Sequence, residues 1–550
     1  MPPRESAAWQ PQHGSSPAHS STSPLSCHSC RRLKRRCDRQ YPRCGLCQRK
    51  QAPCDYPHQR KERVGRSAKS SSQDLSSPSS FLSASSPTLS STTSPQSCAT
   101  SASQPDHLRS KSKKDNAHQQ LSELGGLNLL AASFLDPDDF IRAQLETEKP
   151  NVVITKHVAD LVGSIGDIQN RARIFFESAH TWMPIVSKVQ FHRHLLQRLA
   201  LQRVDLFLLV LAMNLLVSRA SVAKSMLYRT VKQLYFDVES AGRLSVQSLQ
   251  AALLIALYEL GHGIYPAAII SVASCARHGT LLGVQKHLTN TGLLEGMSWI
   301  DVEERRRLWW AIVILDRFIN LSHPNPSLVT QDPDPESYLP ADDDDYDNGV
   351  SPSDEAVQLR LSSQVHLGRF ARFAHSVPLL SQAISRSGED QENTAQLRRT
   401  ILSLIHLGDV EGMEDRILLC TLNAVSYLAV FTLDNAVMQL RTKATKKQPV
   451  AAEVVSPETI SAIQHGIEIM TLETSRINLE HLSPFLLHMM YRSLSILLSL
   501  NQNPPDSMHV SDNIDLLKHG LERLQSRWLV AETYLLLAKR QEVFSHVQPA

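Results

Sequence analysis

The sequence predicts a mostly α-helical protein: a small metal-clustered module near the N-terminus, a disordered Ser-rich linker and a large all-helical region. Three observations lead there. Six of the nine cysteines fall between Cys27 and Cys54. Residues 67–103 are dominated by Ser, Thr and Pro, with almost no large apolar side chains to offset the entropy of ordering. From about residue 121 onward apolar side chains recur at helical spacing, and strand-like alternation is scarce. At 550 residues the chain exceeds the size at which one core usually divides. The expected organisation is a disordered leader over 1–26, the metal module over 27–56, a basic arm and linker over 57–120, and the helical region over 121–550.

The module reads CHSCRRLKRRCDRQYPRCGLCQRKQAPC, with cysteines at Cys27, Cys30, Cys37, Cys44, Cys47 and Cys54. Two C-x2-C-x6-C halves stand in tandem. A C-x2-C pair brings two thiolates to one metal across a tight turn, and zinc takes four sulfur or nitrogen ligands in a tetrahedron. Six thiolates cannot fill two separate tetrahedra. They can serve two ions if two sulfurs bridge. A secreted disulfide framework would need a signal peptide, and residues 1–26 are rich in Ser, Pro and His without an apolar core. His28 is expected to be solvent-exposed, since six sulfurs already satisfy two ions. Cys98, Cys275 and Cys420 stand far apart, and a lone cysteine in an apolar helix is usually a small buried hydrophobe.

Charge is concentrated on the same stretch. Arg31, Arg32, Lys34, Arg35 and Arg36 supply five cations in six positions. From Cys27 to Arg66 there are thirteen Lys and Arg against Asp38, Asp55 and Glu62, a net charge of +10. The whole chain is only +3, so the remainder carries −7. Such asymmetry is the footprint of a polyanion partner. A nuclear import signal is the plainer reading of a basic run, but rigid metal ligands on either side favour insertion into a nucleic-acid groove.

The five gaps between the six cysteines, the basic run and Pro42 between the halves resemble the fungal zinc binuclear cluster family of transcription factors. The resemblance implies two Zn2+ per chain with Cys27 and Cys44 bridging. One ion takes Cys27, Cys30, Cys37 and Cys44; the other takes Cys44, Cys47, Cys54 and Cys27. It also implies that Lys34 occupies the family's base-reading position, donating to guanine O6 and N7 of a CGG-like triplet. Arg31, Arg32, Arg35 and Arg36 would grip phosphates. Leu33 stands where many members carry a second cation. Beyond the cluster, Arg60, Lys61, Arg63, Gly65 and Arg66 look like the R-x-G-R arm of fungal regulators of secondary metabolism, with a charged linker as the plain alternative. Family members often dimerise through a coiled coil after the cluster, which needs apolar a and d positions over several heptads. None is visible between 55 and 120, so a monomer on double-stranded DNA and a homodimer formed through the C-terminal region both stay open.

In the helical region Ser245 opens a segment with Val246, Leu249, Leu253, Leu257 and Leu260 on one face, ending at Gly261 and Gly263. Asp301 and Glu304 form a capping-box-like pair ahead of Leu308, Trp309, Ile312 and Val313. Further helices are expected around 169–181, 204–218, 266–282, 356–386, 415–441, 457–476, 485–500 and 511–540. The most apolar runs, Leu206–Met213 and Pro484–Leu500, are short or broken, whereas a membrane span needs about 20 apolar residues. Glu304 to Trp310 (ERRRLWW), Asp316-Arg317 and the Leu339 to Asp343 loop (LPADD) resemble the fungal-specific transcription factor domain over roughly 150–350. Here Trp309 and Trp310 read as structural, Arg305 to Arg307 as partners of adjacent acids, and Asp342–Asp345 as a solvated turn.

Function narrows accordingly to a nuclear DNA-binding regulator of RNA polymerase II genes, working with transcription machinery or coregulators. The alternative is a zinc-cluster interaction protein or corepressor acting through protein contacts. An enzyme is disfavoured, because the chain has no G-x-S-x-G elbow, Walker A loop, H-E-x-x-H or dinucleotide fingerprint.

Overall fold

The computed structural model describes residues 26–32, 35–40, 42–51, 53–55, 152–218, 222–288, 297–321, 323, 326–352, 356–364, 367–385, 391–410, 423–434, 455–472, 479–501 and 509–547. The leader, the Ser-rich linker, Leu33, Lys34 and the Arg60–Arg66 arm lie outside them. The chain divides into two compact units, Met1–His107 and Leu108–Ala550. Among the described residues every named element is a helix, and an isolated bridge joins Tyr338 to Gln358.

In the first unit two five-residue helices, α1 (His28–Arg32) and α2 (Gly45–Arg49), each start beside the first cysteine of a C-x2-C pair. Neither has an apolar core behind it. What they bury are the cysteines, with Leu46 half-buried against them.

The second unit opens with α3 (Lys156–Val162), α4 (Ile165–Glu177), α5 (Lys188–Ala200) and α6 (Val204–Val217). Ser164 and Asp167 cap α4 reciprocally, Ser164 Oγ accepting from Asp167 N and Asp167 Oδ2 accepting from Ser164 N. Helix α6 is apolar on all sides and buried on nearly all of them, as such a composition requires. Then come α7 (Val222–Ser240), α8 (Val246–Gly261) and α9 (Tyr265–Leu281). Helix α8 starts where the sequence predicts, with Ser245 and Ser248 forming its capping box. It packs between α6 and α9. Ala251, Ala252 and Ala256 bring it close to its neighbours, and its terminal Gly261 lies under the Trp528 ring, where a Cβ would sit 2.1 Å from Cε3.

Helix α10 (Trp299–Leu321) is the scaffold of the middle of the chain. Its start differs from the expected Asp301–Glu304 pair. Asp301 Oδ2 instead accepts from Ser298 N and Oγ, 3.1 and 2.6 Å away, so Ser298 is the capping residue. Glu304 is buried and accepts from Ser187 N at 2.9 Å and Gln250 Nε2 at 2.8 Å. Burial pushes its carboxyl above the ordinary range despite those donors. Beyond α10 stand α11 (Asp343–Asn348), α12 (Arg369–Ser385), α13 (Gln391–Val410), α14 (423–434), α15 (Pro457–Leu472), α16 (Pro484–Leu500), α17 (Val510–Leu524) and α18 (Val530–Val547). The segment expected as one helix over 511–540 is two, turned at Gln525–Leu529. The helix expected from 356 starts at Arg369. Among the described residues no helix is long and apolar enough to cross a membrane.

The family-like charges of α10 turn inward. Arg307 is fully buried and stacked over Tyr346 at 4.0 Å. It donates to Glu303 Oε1 at 2.9 Å, Asp343 Oδ1 at 2.7 Å and the Ala341 carbonyl at 2.7 Å. Asp343 also accepts from Phe370 N, and Glu303 from Ala341 N. The Asp342–Asp345 run is therefore more than a solvated turn, although Asp342 and Asp344 are exposed. Asp342 caps α11, and Asp343 is the buried counter-ion of Arg307. About two and a half turns further along α10, Asp316 gathers Thr330 N and Oγ1, while Arg317 reaches Asp332 and Ser381. These charges hold the 327–343 loop onto α10, and Trp310 Nε1 adds a bond to the Tyr338 carbonyl at 3.0 Å.

Candidate metal centre and nucleic-acid interface

The first unit folds around its sulfurs. Cys30 N and Cys47 N each lie 3.5 Å from the sulfur three residues earlier, Cys27 Sγ and Cys44 Sγ, so the two C-x2-C turns repeat one geometry. Cys44 N donates to Cys54 Sγ at 3.2 Å. The ends are tied by His28 N donating to the Asp55 carbonyl and Ser29 Oγ donating to the Pro53 carbonyl. Asp38 was not singled out by sequence, yet its carboxylate accepts from Gly45 N at 2.9 Å and so fixes the start of α2. A Cβ at Gly45 would meet that carboxylate at 2.7 Å, which ties the glycine to the contact.

Two sets of four sulfurs converge, each set with all its Sγ atoms within 4.8 Å of one another. One is Cys27, Cys30, Cys37 and Cys44; the other is Cys27, Cys44, Cys47 and Cys54. Cys27 and Cys44 belong to both. Cys27 Sγ stands 3.8 Å from Cys44 Sγ and 3.7 Å from Cys47 Sγ, and Cys30 Sγ stands 3.6 Å from Cys44 Sγ. A tetrahedron with Zn–S of about 2.3 Å has edges of about 3.8 Å. The same separations are far too long for a disulfide, at about 2.05 Å. The donor set therefore fits zinc.

Electrostatics agree with a cation there. Burial pushes the Cys27, Cys30 and Cys47 thiols up to about 12. Packed sulfurs of that kind keep their protons at neutral pH unless a cation displaces them, so metal binding releases protons. Burial also opposes ionisation of the half-exposed Cys37, but the Cys27 and Arg39 backbone amides outweigh it and hold that thiol below its ordinary value.

Around the buried sulfurs the surface is cationic. Arg31 and Arg32 end α1, and Arg35 and Arg36 follow it; all four are exposed. Arg39, Arg43, Arg49 and Lys50 are exposed as well. These four cations entered the charge count but were not among the expected contacts, although the repeat of the C-x2-C-x6-C spacing pairs Arg49 and Lys50 with the basic run after Cys30. His28 is exposed, as expected. Cys275, by contrast, is wholly buried within α9 in the other unit. Cys98 and Cys420 lie outside the described residues.

Comparison with known proteins gives the same assignment. Residues 25–63 match the fungal Zn(2)-Cys(6) binuclear cluster domain, and residues 172–407 match the fungal specific transcription factor domain. The second match runs past residue 350, where the motif resemblance ended. Over 166 residues the chain is 41% identical to transcription factor BOA15 of Botryotinia fuckeliana, covering 29% of this chain and 90% of that protein. It is 33% identical over 91 residues to transcription factor tazR of Aspergillus terreus, covering 16% of this chain and 14% of that one. A zinc-binding, DNA-binding module joined to a helical domain of this kind makes a transcription regulator and not an enzyme. The chain belongs to the fungal Zn(2)-Cys(6) binuclear cluster transcription factors.

Proposed function

We infer that the chain is a nuclear regulator of RNA polymerase II genes that reads CGG-like triplets through two zinc ions held on six cysteines. The observation that carries this reading is the pair of four-sulfur sets sharing Cys27 and Cys44 beneath a surface of exposed arginines. One ion is assigned to Cys27, Cys30, Cys37 and Cys44, and the second to Cys27, Cys44, Cys47 and Cys54. Zinc, when bound, supplies the cross-link that an apolar core supplies in larger domains. The chain's own residues do the reading. Lys34 follows the cysteine-anchored α1 and donates to a guanine edge; Arg31, Arg32, Arg35 and Arg36 neutralise phosphates and set register. Arg60, Lys61, Arg63 and Arg66 extend the contact along the backbone. In this reading residues 27–56 form the DNA-binding module, 57–120 the arm and linker, and 121–550 the regulatory region that meets coregulators. Control of a secondary-metabolite gene cluster rests on the R-x-G-R arm.

Phosphate and base contacts respond to different perturbations. Engaging six or more phosphates should raise Kd by about 10³ between 50 and 200 mM salt. Lys34→Ala should cost about 1–3 kcal/mol and relax discrimination at one base pair, with the salt slope lowered by about one at most. Titrations of a CGG-bearing duplex and a scrambled one at several salt concentrations check both. A flat salt response, or a Lys34→Ala protein with unchanged triplet preference, contradicts the assignment.

A further inference from the structure

Helix α18 is apolar on two sides. Its inner side is anchored: Val530, Ala531, Tyr534 and Ala538 are buried. The Tyr534 ring stacks on Tyr491 at 4.7 Å, and its hydroxyl meets Tyr265 at 2.5 Å and His488 Nδ1 at 3.0 Å. Gln541 Nε2 donates to the Ser495 carbonyl of α16, and Glu542 pairs with Lys518 of α17. The outer side nevertheless exposes Leu529, just before the helix, and Leu536, Leu537 and Val543, at 43%, 62%, 41% and 54%. A surface helix ordinarily turns one apolar stripe to the core and a polar face to water. Here Leu536 and Val543, seven residues apart on the helix, lie on a second stripe, and the exposed Leu529 stands at the turn that opens α18, seven residues before Leu536.

The charges beside the stripe say what covers it. Glu532 and Lys539 are exposed, also seven apart, and so run along one edge. The pattern complements itself about Leu536. When two such helices lie antiparallel, Leu536 meets its own copy, Leu529 meets Val543 of the second copy, and Glu532 meets Lys539 of the second copy on both halves. Antiparallel pairing juxtaposes like edges, so opposite charges on one edge attract. Parallel pairing juxtaposes unlike edges and loses these contacts.

We propose that the outer face of α18 is a homodimerisation surface, packed antiparallel against a second copy across a two-fold axis at Leu536. The contact is isologous, with each copy contributing the same patch. It is short, at the small end of interface size below about 1,200 Å2. The dimer is therefore concentration-dependent, with Kd on the order of micromolar. The inference does not rest on DNA reading and is measured without DNA.

Sedimentation of the full zinc-loaded chain up to about 50 µM should show a reversible monomer–dimer equilibrium. Leu536→Asp, an exposed position, should abolish the dimer and leave the thermal midpoint unchanged. Glu532→Lys and Lys539→Glu should each weaken association by about threefold or more through like-charge edges. An equimolar mixture of those two variants should regain the parent affinity, because every edge contact is again of opposite sign. A monomeric parent, a dimer indifferent to Leu536→Asp, or a mixture no better than either variant alone would overturn the proposal.

Discussion

Cys44→Ser should release both zinc ions and reduce specific DNA binding by about 10³ or more. The reason is the sharing of sulfurs. Cys44 belongs to both four-sulfur sets, and so does Cys27, whereas Cys54 belongs to one. Serine at a shared position leaves each set with three sulfurs. Serine at Cys54 leaves Cys27, Cys30, Cys37 and Cys44 intact. Structural zinc contributes on the order of 10 kcal/mol to so small a module, and α1 and α2 have only five residues each, with cysteines as their buried residues. Without metal, the described residues leave them only a few hydrogen bonds, such as His28 N to the Asp55 carbonyl and Gly45 N to Asp38. Native mass spectrometry of the full chain should count two ions in the parent, none in Cys27→Ser and Cys44→Ser, and one in Cys54→Ser. A Cys44→Ser protein that keeps one ion at full occupancy would mean that this sulfur is not shared.

In the helical unit the largest expected loss comes from Arg307→Ala. Its guanidinium lies with no exposed surface between Glu303, Asp343, the Ala341 carbonyl and the Tyr346 ring. Burial alone would lower its pKa, but Asp343 and Glu303 more than reverse that and hold it above the ordinary arginine value. Removing the cation leaves the buried Asp343 carboxylate without its closest counter-ion and Glu303 with Arg306 alone, at a cost of about 3–5 kcal/mol. For a unit as long as Leu108–Ala550 an unfolding entropy of about 2.1 cal/mol/K per residue gives roughly 1 °C per kcal/mol, so the midpoint should fall by about 5 °C. Arg307→Lys should recover little, because an ammonium can neither span the two acids nor stack flat on Tyr346. Calorimetry of the full chain checks this, and zinc content should stay at the parent value. An unchanged midpoint would mean that the pair does not hold the 341–346 segment onto α10.

These two sites differ in how far the sequence exposes them. The four-sulfur sets are legible because their spacing is local: two C-x2-C turns and three six-residue gaps carry the arrangement, and the cations sit between the cysteines. The Arg307 site was only half legible. The basic run was matched to its neighbouring acids, and Glu303 is indeed one partner, but Asp343 lies 36 residues away in a run of four aspartates that looks hydrophilic. Tertiary pairing overrode that appearance. The start of α10 was misread for a related reason, since Glu304 fits a capping pattern yet is drawn into the core by Ser187 and Gln250.

Helix prediction followed the same rule. Strongly apolar α6, α8 and α16 were placed within a residue or two. Helix α5 was missed because Phe191 and Leu195 are its buried residues among many charged ones. The turn between α17 and α18 carries neither Gly nor Pro to mark it, and Trp528 there is fixed by a bond from its Nε1 to the Leu482 carbonyl. The outer stripe of α18 has the opposite character: its seven-residue spacing is visible in sequence, but only the fold shows that it faces outward.

Selection from a randomised duplex pool with the zinc-loaded full chain, and again after chelation, tests the central claim most directly. The account predicts strong enrichment of CGG-like triplets with zinc and none after chelation. Recovery of unselected sequences from the zinc-loaded protein would contradict it.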